Sequence, residues 1–124
     1  MNRIKNRSII VIDDETDFLD TIRRGLVITG YRNITVLSQP AMIKEMLADR
    51  CFDIAMIDVS MPVMNGIEVL KYIKSTCPEM DCYMVSAHED AGLADKCTDL
   101  GARDYLIKPI SRDTLLSILE PEKG

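Results

Sequence analysis

The chain has 124 residues, a length that suits one ordinary domain and leaves too little material for a second independent core. Hydrophobic residues make up 47% of it and charged residues 28%, which is typical of a folded globular protein rather than a disordered or membrane protein. The net charge of −5 argues against direct nucleic-acid binding by this domain, because phosphate backbones are bound by basic surfaces.

No segment has the pattern of a targeting signal or a membrane span. The start, MNRIKNRSIIVID, combines a basic stretch with an apolar run that is too short for a signal peptide. No run approaches the roughly 18 apolar residues that a transmembrane helix requires. We therefore predict a cytoplasmic protein without a membrane partner.

The four cysteines are Cys51, Cys77, Cys82 and Cys97. They contain no C-x-x-C pair and lie too far apart along the chain to indicate a metal-binding knuckle. We expect all four to be reduced and to act as small apolar side chains.

Five apolar runs of strand length alternate with five segments whose apolar residues recur at helical spacing. The predicted strands cover 8–12, 34–37, 53–59, 82–85 and 104–107, and the predicted helices cover 17–29, about 40–50, 66–75, 91–100 and 113–119. This alternation predicts a single (βα)5 doubly wound parallel sheet with helices on both faces. Right-handed crossovers leave few topologies, and a common one is the flavodoxin-like strand order 2-1-3-4-5.

Residues suited to phosphoryl chemistry stand where four of the predicted strands end. Strand 1 ends in Asp13 and Asp14, strand 3 in Asp58, strand 4 in Ser86 and strand 5 in Lys108. Sites in open α/β sheets lie outside the carboxyl ends of the strands, and strands 1 and 3 are neighbours in the predicted order. Three carboxylates at one edge need a compensating cation, and Mg²⁺ prefers carboxylates, water and phosphate oxygens.

Each of these residues alone has a purely structural explanation. Asp14 or Asp17 could cap the first helix, Ser86 could be a turn hydroxyl, and Lys108 could be a surface charge. Their joint placement at one edge of the sheet favours a functional site.

Four segments, IIVIDDE, DIAMIDVSMPVMNGIEVL, YMVSA and LGARDYLIKPIS, resemble the signature blocks of response-regulator receiver domains, in that family's order and spacing. The D-x-x-M-P-x-x-x-G block at 58–66 and the Lys-Pro pair after strand 5 are the most specific of them. The resemblance covers essentially the whole chain. It implies a receiver domain over 1–124, either alone or as the front part of a longer regulator.

The resemblance implies a phosphorylation site and a metal site. Asp58 would accept the phosphoryl group, assisted by Lys108. Mg²⁺, or Mn²⁺ in its place, would be held by Asp13, Asp14, Asp58 and the backbone carbonyl of Ser60, with Asp13 acting mainly through water. The chain would catalyse only its own phosphorylation and dephosphorylation, and would not otherwise be an enzyme.

The resemblance also implies a switch. Ser86, which stands where the family often has Thr, would bind the phosphoryl group, and Tyr105 would turn inward on activation. The Lys108–Pro109 peptide would be cis. Ser60 and His88, each two places beyond a site residue, would tune the rate at which the phosphate is lost.

The implied partners are of two kinds. A sensor histidine kinase or a phosphotransfer protein would donate the phosphoryl group, and a downstream effector or a fused output domain would receive the signal. The signal would pass through the face of the fourth helix, fifth strand and fifth helix, which is also where a homodimer would form on phosphorylation.

Three alternatives use parts of the same pattern. A haloacid-dehalogenase-like phosphatase also forms an aspartyl phosphate with Mg²⁺, but its nucleophile lies in a D-x-D block after strand 1, whereas Asp58 ends strand 3 and residue 60 is Ser. A flavodoxin-like nucleotide-binding module would need a Gly-rich loop after strand 1, where this chain has an acidic pair. A degenerate receiver would bind partners without phosphate, although every matched site residue is present.

Overall fold

The computed structural model describes residues 6–60 and 65–120. Its strands are β1 (Ile9–Ile12), β2 (Ile34–Leu37), β3 (Ile54–Asp58), β4 (Asp81–Ser86) and β5 (Asp104–Ile107). Its α-helices are α1 (Thr16–Ile28), α2 (Ile43–Asp49), α3 (Gly66–Thr76), α4 (Ala91–Asp99) and α5 (Arg112–Leu119). The strands form one parallel sheet in the order β2-β1-β3-β4-β5. The predicted (βα)5 doubly wound fold and its strand order are confirmed.

The predicted boundaries agree with the structure to about one residue, except at the second helix. There, a turn of 3₁₀-helix at Pro40–Met42 precedes the α-helix, which begins at Ile43. Pro40 is the first residue of that turn, where its missing backbone N–H leaves no partner unsatisfied. The segment therefore starts as predicted but with tighter helical geometry.

The sheet separates two apolar layers, because alternate residues of each strand face opposite sides. On one side Ile10, Ile12, Ala55 and Ile57 pack with residues of α2, α3 and α4. On the other side Ile9, Val11, Ile54 and Met56 pack with residues of α1 and α5. Both faces of β1 and β3 are thus covered, as continuous apolar runs in parallel sheets predict. Polar groups at the carboxyl ends of these strands are left at one edge.

The prediction that all four cysteines are reduced is wrong for one pair. Cys51 and Cys77 form a disulfide, with their Cα atoms 5.9 Å apart. Cys82 and Cys97 are free and buried in the apolar layer, as expected. The pairing was missed because the two partners are 26 residues apart in sequence and meet only when α3 returns along β3 to the amino edge of the sheet.

In the ranges that the structure describes, no helix combines the length and the apolar character that crossing a membrane would require.

Candidate phospho-acceptor and metal site

The neighbouring carboxyl ends of β1 and β3 bring three aspartates together. Ile12 pairs with Ile57 in the parallel ladder, so the next residues, Asp13 and Asp58, lie side by side. Asp13, Asp14 and Asp58 each offer a carboxylate oxygen, and these oxygens lie within 4.8 Å of one another. Asp13 is fully buried, Asp58 is nearly so and Asp14 is exposed. The predicted carboxylate cluster is therefore present.

Asp13 anchors the cluster. Its Oδ1 accepts a hydrogen bond from the backbone N–H of Glu15 at 2.8 Å. Its Oδ2 is buried and accepts no hydrogen bond of good geometry from the described residues, although the Lys108 Nζ lies 2.8 Å away as an ionic partner. A buried carboxylate oxygen without a hydrogen bond is costly, so this atom is suited to a further cation or to a water molecule that a cation holds.

The local electrostatics disfavour the charged form of Asp58. Burial raises the pKa of Asp58, and the charge of Asp13 raises it further, to about 6; the Lys108 ammonium and the Ser60 N–H oppose them only partly. That N–H is 3.5 Å from Asp58 Oδ1, a long hydrogen bond. The site carries more negative charge than its own residues neutralise.

Lys108 is held by two carboxylates and an aromatic ring. Its Nζ lies 2.8 Å from Asp13 Oδ2, 2.7 Å from Glu15 Oε1 and 4.3 Å from the centre of the Phe18 ring. Burial lowers the pKa of Lys108, but the close contacts with the Asp13 and Glu15 carboxylates and their negative charges outweigh burial and raise it overall. Among the described residues, no ion pair within 4.0 Å joins Lys108 to Asp58.

Glu15 is the site residue that the sequence reasoning missed. It accepts a hydrogen bond from the Lys108 ammonium, and that hydrogen bond and charge lower the pKa of Glu15. The sequence does carry a signal for it, because Glu15 follows the acidic pair directly in the run IDDE. The explanation that Asp14 or Asp17 only caps α1 gains no support, because Glu15 occupies the N-cap position and no side-chain hydrogen bond caps that helix.

The β4–α4 loop connects the two predicted switch residues. The Ser86 hydroxyl donates to the backbone carbonyl of His88 at 3.0 Å and accepts from the His88 N–H at 3.1 Å. The Tyr105 hydroxyl donates to the same carbonyl at 3.4 Å. Ser86 is buried, Tyr105 is half-buried and the His88 side chain is exposed. The Ser86 hydroxyl must give up its bond to His88 before it can donate to a phosphoryl group.

The peptide between Lys108 and Pro109 is cis, as predicted. The N–H of Lys108 donates to the carbonyl of Ser86 at 2.7 Å, which ties the end of β5 to the end of β4. The backbones of Lys108 and Ser86 are therefore adjacent, while their side chains contact different loops. The Lys108 side chain contacts the loop after β1, and the Ser86 side chain contacts the loop after β4.

The start of α3 fixes the backbone of the acceptor residue. A Cβ atom on Gly66 would lie 2.8 Å from the carbonyl carbon of Asp58 and 2.8 Å from the Cα of Val59, so a side chain there would displace the chain after β3. Asn65 and Glu68 form a reciprocal capping box that begins the helix at this point. Residues 61–64, with the predicted Met-Pro turn, lie outside the described residues. Ser60 is exposed.

The donor set fits Mg²⁺. Three carboxylates at one edge, one of them with a buried oxygen that lacks a good hydrogen bond, match a hard cation that takes a few protein oxygens and keeps several waters. Asp13, Asp14 and Asp58 would be the side chains that hold it.

The five-stranded parallel sheet in this order is a flavodoxin-like α/β fold that CheY-like solved structures share, and in this chain an aspartate cluster and a lysine stand at its carboxyl edge. The chain belongs to the response regulator receiver domain family, whose model matches residues 9–120. The phosphatase and nucleotide-binding alternatives are thereby set aside. Phosphorylation and Mg²⁺ are characteristic of this family.

Two curated relatives are transcriptional regulators. The chain is 34% identical over 111 residues to the alginate biosynthesis transcriptional regulatory protein AlgB of Pseudomonas aeruginosa, which covers 90% of this chain and 24% of AlgB. It is 32% identical over 115 residues to the transcriptional regulatory protein ZraR of Escherichia coli K12, which covers 93% of this chain and 26% of ZraR. The chain thus spans about a quarter of the length of these relatives.

Solved structures share the fold. One chain of the CheX–CheY–BeF₃–Mg²⁺ complex from Borrelia burgdorferi matches with a TM-score of 0.83 and 24% identity, over 93% of this chain and 87% of that one. At that identity the match supports the fold and carries no residue roles.

Proposed function

We propose that this chain is a phospho-acceptor switch, in which Asp58 takes a phosphoryl group from a sensor histidine kinase or a phosphotransfer protein in a Mg²⁺-dependent reaction. The observation that carries the proposal is the buried Asp58 carboxylate at the end of β3, clustered with Asp13 and Asp14 and close to the Lys108 ammonium. Family membership supplies the reaction class, and the local geometry supports the assignment of residues.

Asp58 is suited to act as the nucleophile. With a pKa of about 6, its carboxylate is mostly ionised near neutral pH, and burial holds it in one position rather than in free solvent. Its oxygen would form the new bond to phosphorus while the bond from phosphorus to the donor's imidazole nitrogen breaks, and the donor retains that electron pair. Mg²⁺, when bound, would neutralise charge on the transferring phosphoryl oxygens.

Lys108 would provide the second positive charge. Its ammonium lies between Asp13 and Glu15 in the unphosphorylated domain, on a flexible side chain that can reorient. New phosphoryl oxygens on Asp58 would compete with the exposed Glu15 carboxylate for this ammonium. Phosphorylation would thus exchange one partner of Lys108 for another.

The output would follow from the hydrogen bonds at His88. The Ser86 hydroxyl would turn from the His88 carbonyl to a phosphoryl oxygen. This would release the loop that carries His88, and Tyr105, which donates to the same carbonyl, would move inward. A local charge change would in this way shift the face of α4, β5 and α5, to which an effector, a fused output domain or a second copy would bind.

The domain would not bind nucleic acid directly, and it would catalyse only its own phosphorylation and dephosphorylation. We expect it to be cytoplasmic.

The phosphoryl group would be lost by in-line attack of water. Ser60 follows Asp58 by two positions and His88 follows Ser86 by two, and both are exposed where water must approach. Ser60 is small and would shield little. The larger His88 side chain would obstruct the approach.

The decisive experiment is phosphorylation by a small donor. Incubation with acetyl phosphate and Mg²⁺ should add one phosphoryl group by intact mass, and EDTA should prevent it. Asp58→Asn should remove the mass increment, whereas Asp17→Asn, an exposed aspartate on the same edge, should be labelled like the wild type. Labelling of Asp58→Asn at the wild-type level would refute the assignment.

A further inference from the structure

The Cys51–Cys77 disulfide lies at the opposite end of β3 from Asp58. Cys51 stands between α2 and β3, and Cys77 is the C-cap residue of α3. Their Cα atoms are 5.9 Å apart, within the range that a cross-link needs without backbone movement. The bond closes a loop that contains β3, Asp58 and the whole of α3.

This pair differs from the other two cysteines in accessibility. Cys51 is exposed, and it borders a surface cavity of about 390 Å³ that is also lined by Phe52, Thr76, Cys77 and Met80. Cys82 and Cys97 are free and fully buried in the apolar layer. A small thiol or disulfide in solution can therefore reach the cross-link without unfolding the domain, but it cannot reach the free cysteines in the same way.

The two sulfur atoms occupy unequal positions. Cys77 is only 3% exposed and stands at the carboxyl end of α3, where the helix dipole disfavours a thiolate. Cys51 faces solvent and follows Arg50, whose guanidinium lies 4.3 Å from the centre of the Phe52 ring. A solvent-exposed thiol is more accessible to a small disulfide than a buried thiol at the carboxyl end of a helix, so in the reduced protein Cys51 would react first and Cys77 would resolve the product.

We propose that Cys51 and Cys77 form a reversible redox modification site that responds to low-molecular-weight thiols and disulfides. In the oxidising direction the Cys51 thiolate attacks a small disulfide, forms a mixed disulfide and releases one small thiolate. The Cys77 thiolate then attacks the Cys51 sulfur and releases the second. The protein pair gives up two electrons to the small disulfide, and the two thiol protons pass to the departing thiolates.

The consequence for the domain is a redox-dependent stability. A cross-link that closes a loop of this length restricts the unfolded chain, and the expected difference in melting temperature between the oxidised and reduced forms is on the order of 10 °C. This inference does not depend on the proposed phosphorylation function, since it can be measured on the unphosphorylated chain.

The test is equilibration of the folded, full chain with mixtures of reduced and oxidised glutathione, without denaturant and without oxygen. Samples are then acid-quenched, unfolded, treated with N-ethylmaleimide and weighed intact. We expect four N-ethylmaleimide adducts in the most reducing mixture and two in the most oxidising one. The adduct count at each ratio should be the same whether the protein starts reduced or oxidised, and the melting temperature should rise as the adduct count falls. Four adducts even in excess oxidised glutathione would overturn the proposal. So would a bond that thiols reduce only after denaturant is added.

Variants separate the two steps. Cys77→Ser should accumulate one glutathione on Cys51, and Cys51→Ser should gain none at Cys77 and show a melting temperature independent of the glutathione ratio. Cys97→Ala, which removes a buried free thiol, is the matched control and should keep the wild-type response. If Cys77→Ser does not fold, Cys51→Ser still decides, because its exposed position tolerates the change. A ratio-dependent melting temperature in Cys51→Ser would contradict the proposal.

Discussion

The hydroxyl groups of Ser86 and Tyr105 share one acceptor, the backbone carbonyl oxygen of His88, at 3.0 Å and 3.4 Å. The residue predicted to bind the phosphoryl group and the residue predicted to carry the signal are therefore linked through a single loop atom. Movement of one hydroxyl changes the hydrogen bonding available to the other.

This linkage predicts the effect of Ser86→Ala. The variant should still be phosphorylated on Asp58, but beryllofluoride with Mg²⁺ should change amide exchange in 89–106 less than it does in the wild type, because no hydroxyl can move from His88 to the acceptor. Ser86→Thr, which keeps a hydroxyl group at this position, should retain the wild-type response. Amide exchange by mass spectrometry measures it, and a wild-type response in Ser86→Ala, or changes confined to α1 and α2, would contradict the linkage.

Asp58 should make metal-free stability depend on pH. Burial and Asp13 raise its pKa to about 6, above its value in the unfolded chain. The folded state therefore binds the Asp58 proton more tightly than the unfolded state does. The stabilisation that this proton contributes is fully present below about pH 4 and is lost as pH rises through about 6. Asp58→Asn should therefore stabilise the domain near pH 7 by on the order of 2 kcal/mol and have little effect below about pH 4. Denaturant unfolding in EDTA measures this, with Asp17→Asn as the control. An equal gain at both pH values would mean that the cause is not titration of Asp58.

Mg²⁺ should stabilise the folded chain by mass action. At a concentration about a hundred times Kd the gain is about 2.7 kcal/mol, provided that the unfolded chain does not bind the metal. Asp14→Ala should abolish the gain and raise the metal-free melting temperature, since it removes a charge from the cluster. Asp17→Ala serves as the matched exposed control. Thermal melts with and without Mg²⁺ decide, and an undiminished metal-dependent shift in Asp14→Ala would rule out its role as a ligand.

Glu15 should slow phosphorylation by competing for Lys108. Glu15→Gln keeps the shape of the side chain but removes the charge that holds the ammonium at 2.7 Å. We expect acetyl phosphate to label this variant several times faster than the wild type, and Lys108→Met to be labelled more slowly than both. Intact mass against time gives the rates. Slower labelling of Glu15→Gln would show instead that Glu15 holds Lys108 in its productive position.

His88 should prolong the phosphorylated state. Its exposed side chain stands two residues beyond Ser86, where it would obstruct water. His88→Ala should lose phosphate faster than the wild type, with little dependence on pH between about 6 and 8. Loss of the mass increment after donor removal provides the rate. If His88→Ala retained phosphate longer and a pH step disappeared, the imidazole would be acting as a base.

The sequence was informative wherever the signal was local. The apolar runs predicted the bounds of β2 and β5 correctly. The polar residues at the end of β3 and directly after β1 and β5 predicted that Asp58, Asp13 and Lys108 share one edge, because parallel strands end at the same edge of the sheet. The contact between Lys108 and Glu15 joins residues 93 apart and depends on a side-chain conformation, which no spacing rule provides. No spacing rule predicts the Cys51–Cys77 bond either, because its partners are 26 residues apart and meet only in the folded chain.

The close approach of Gly66 to the carbonyl of Asp58 has a consequence for protein design. The backbone of Asp58 is held on one side by the hydrogen-bond ladder of β3 and on the other by Gly66, the first residue of the capped helix α3. Transplanting the acceptor into another parallel sheet would therefore require the glycine and the Asn65–Glu68 capping pair to travel with it. An aspartate grafted alone would have the right chemistry on a backbone free to drift from the lysine and the metal ligands.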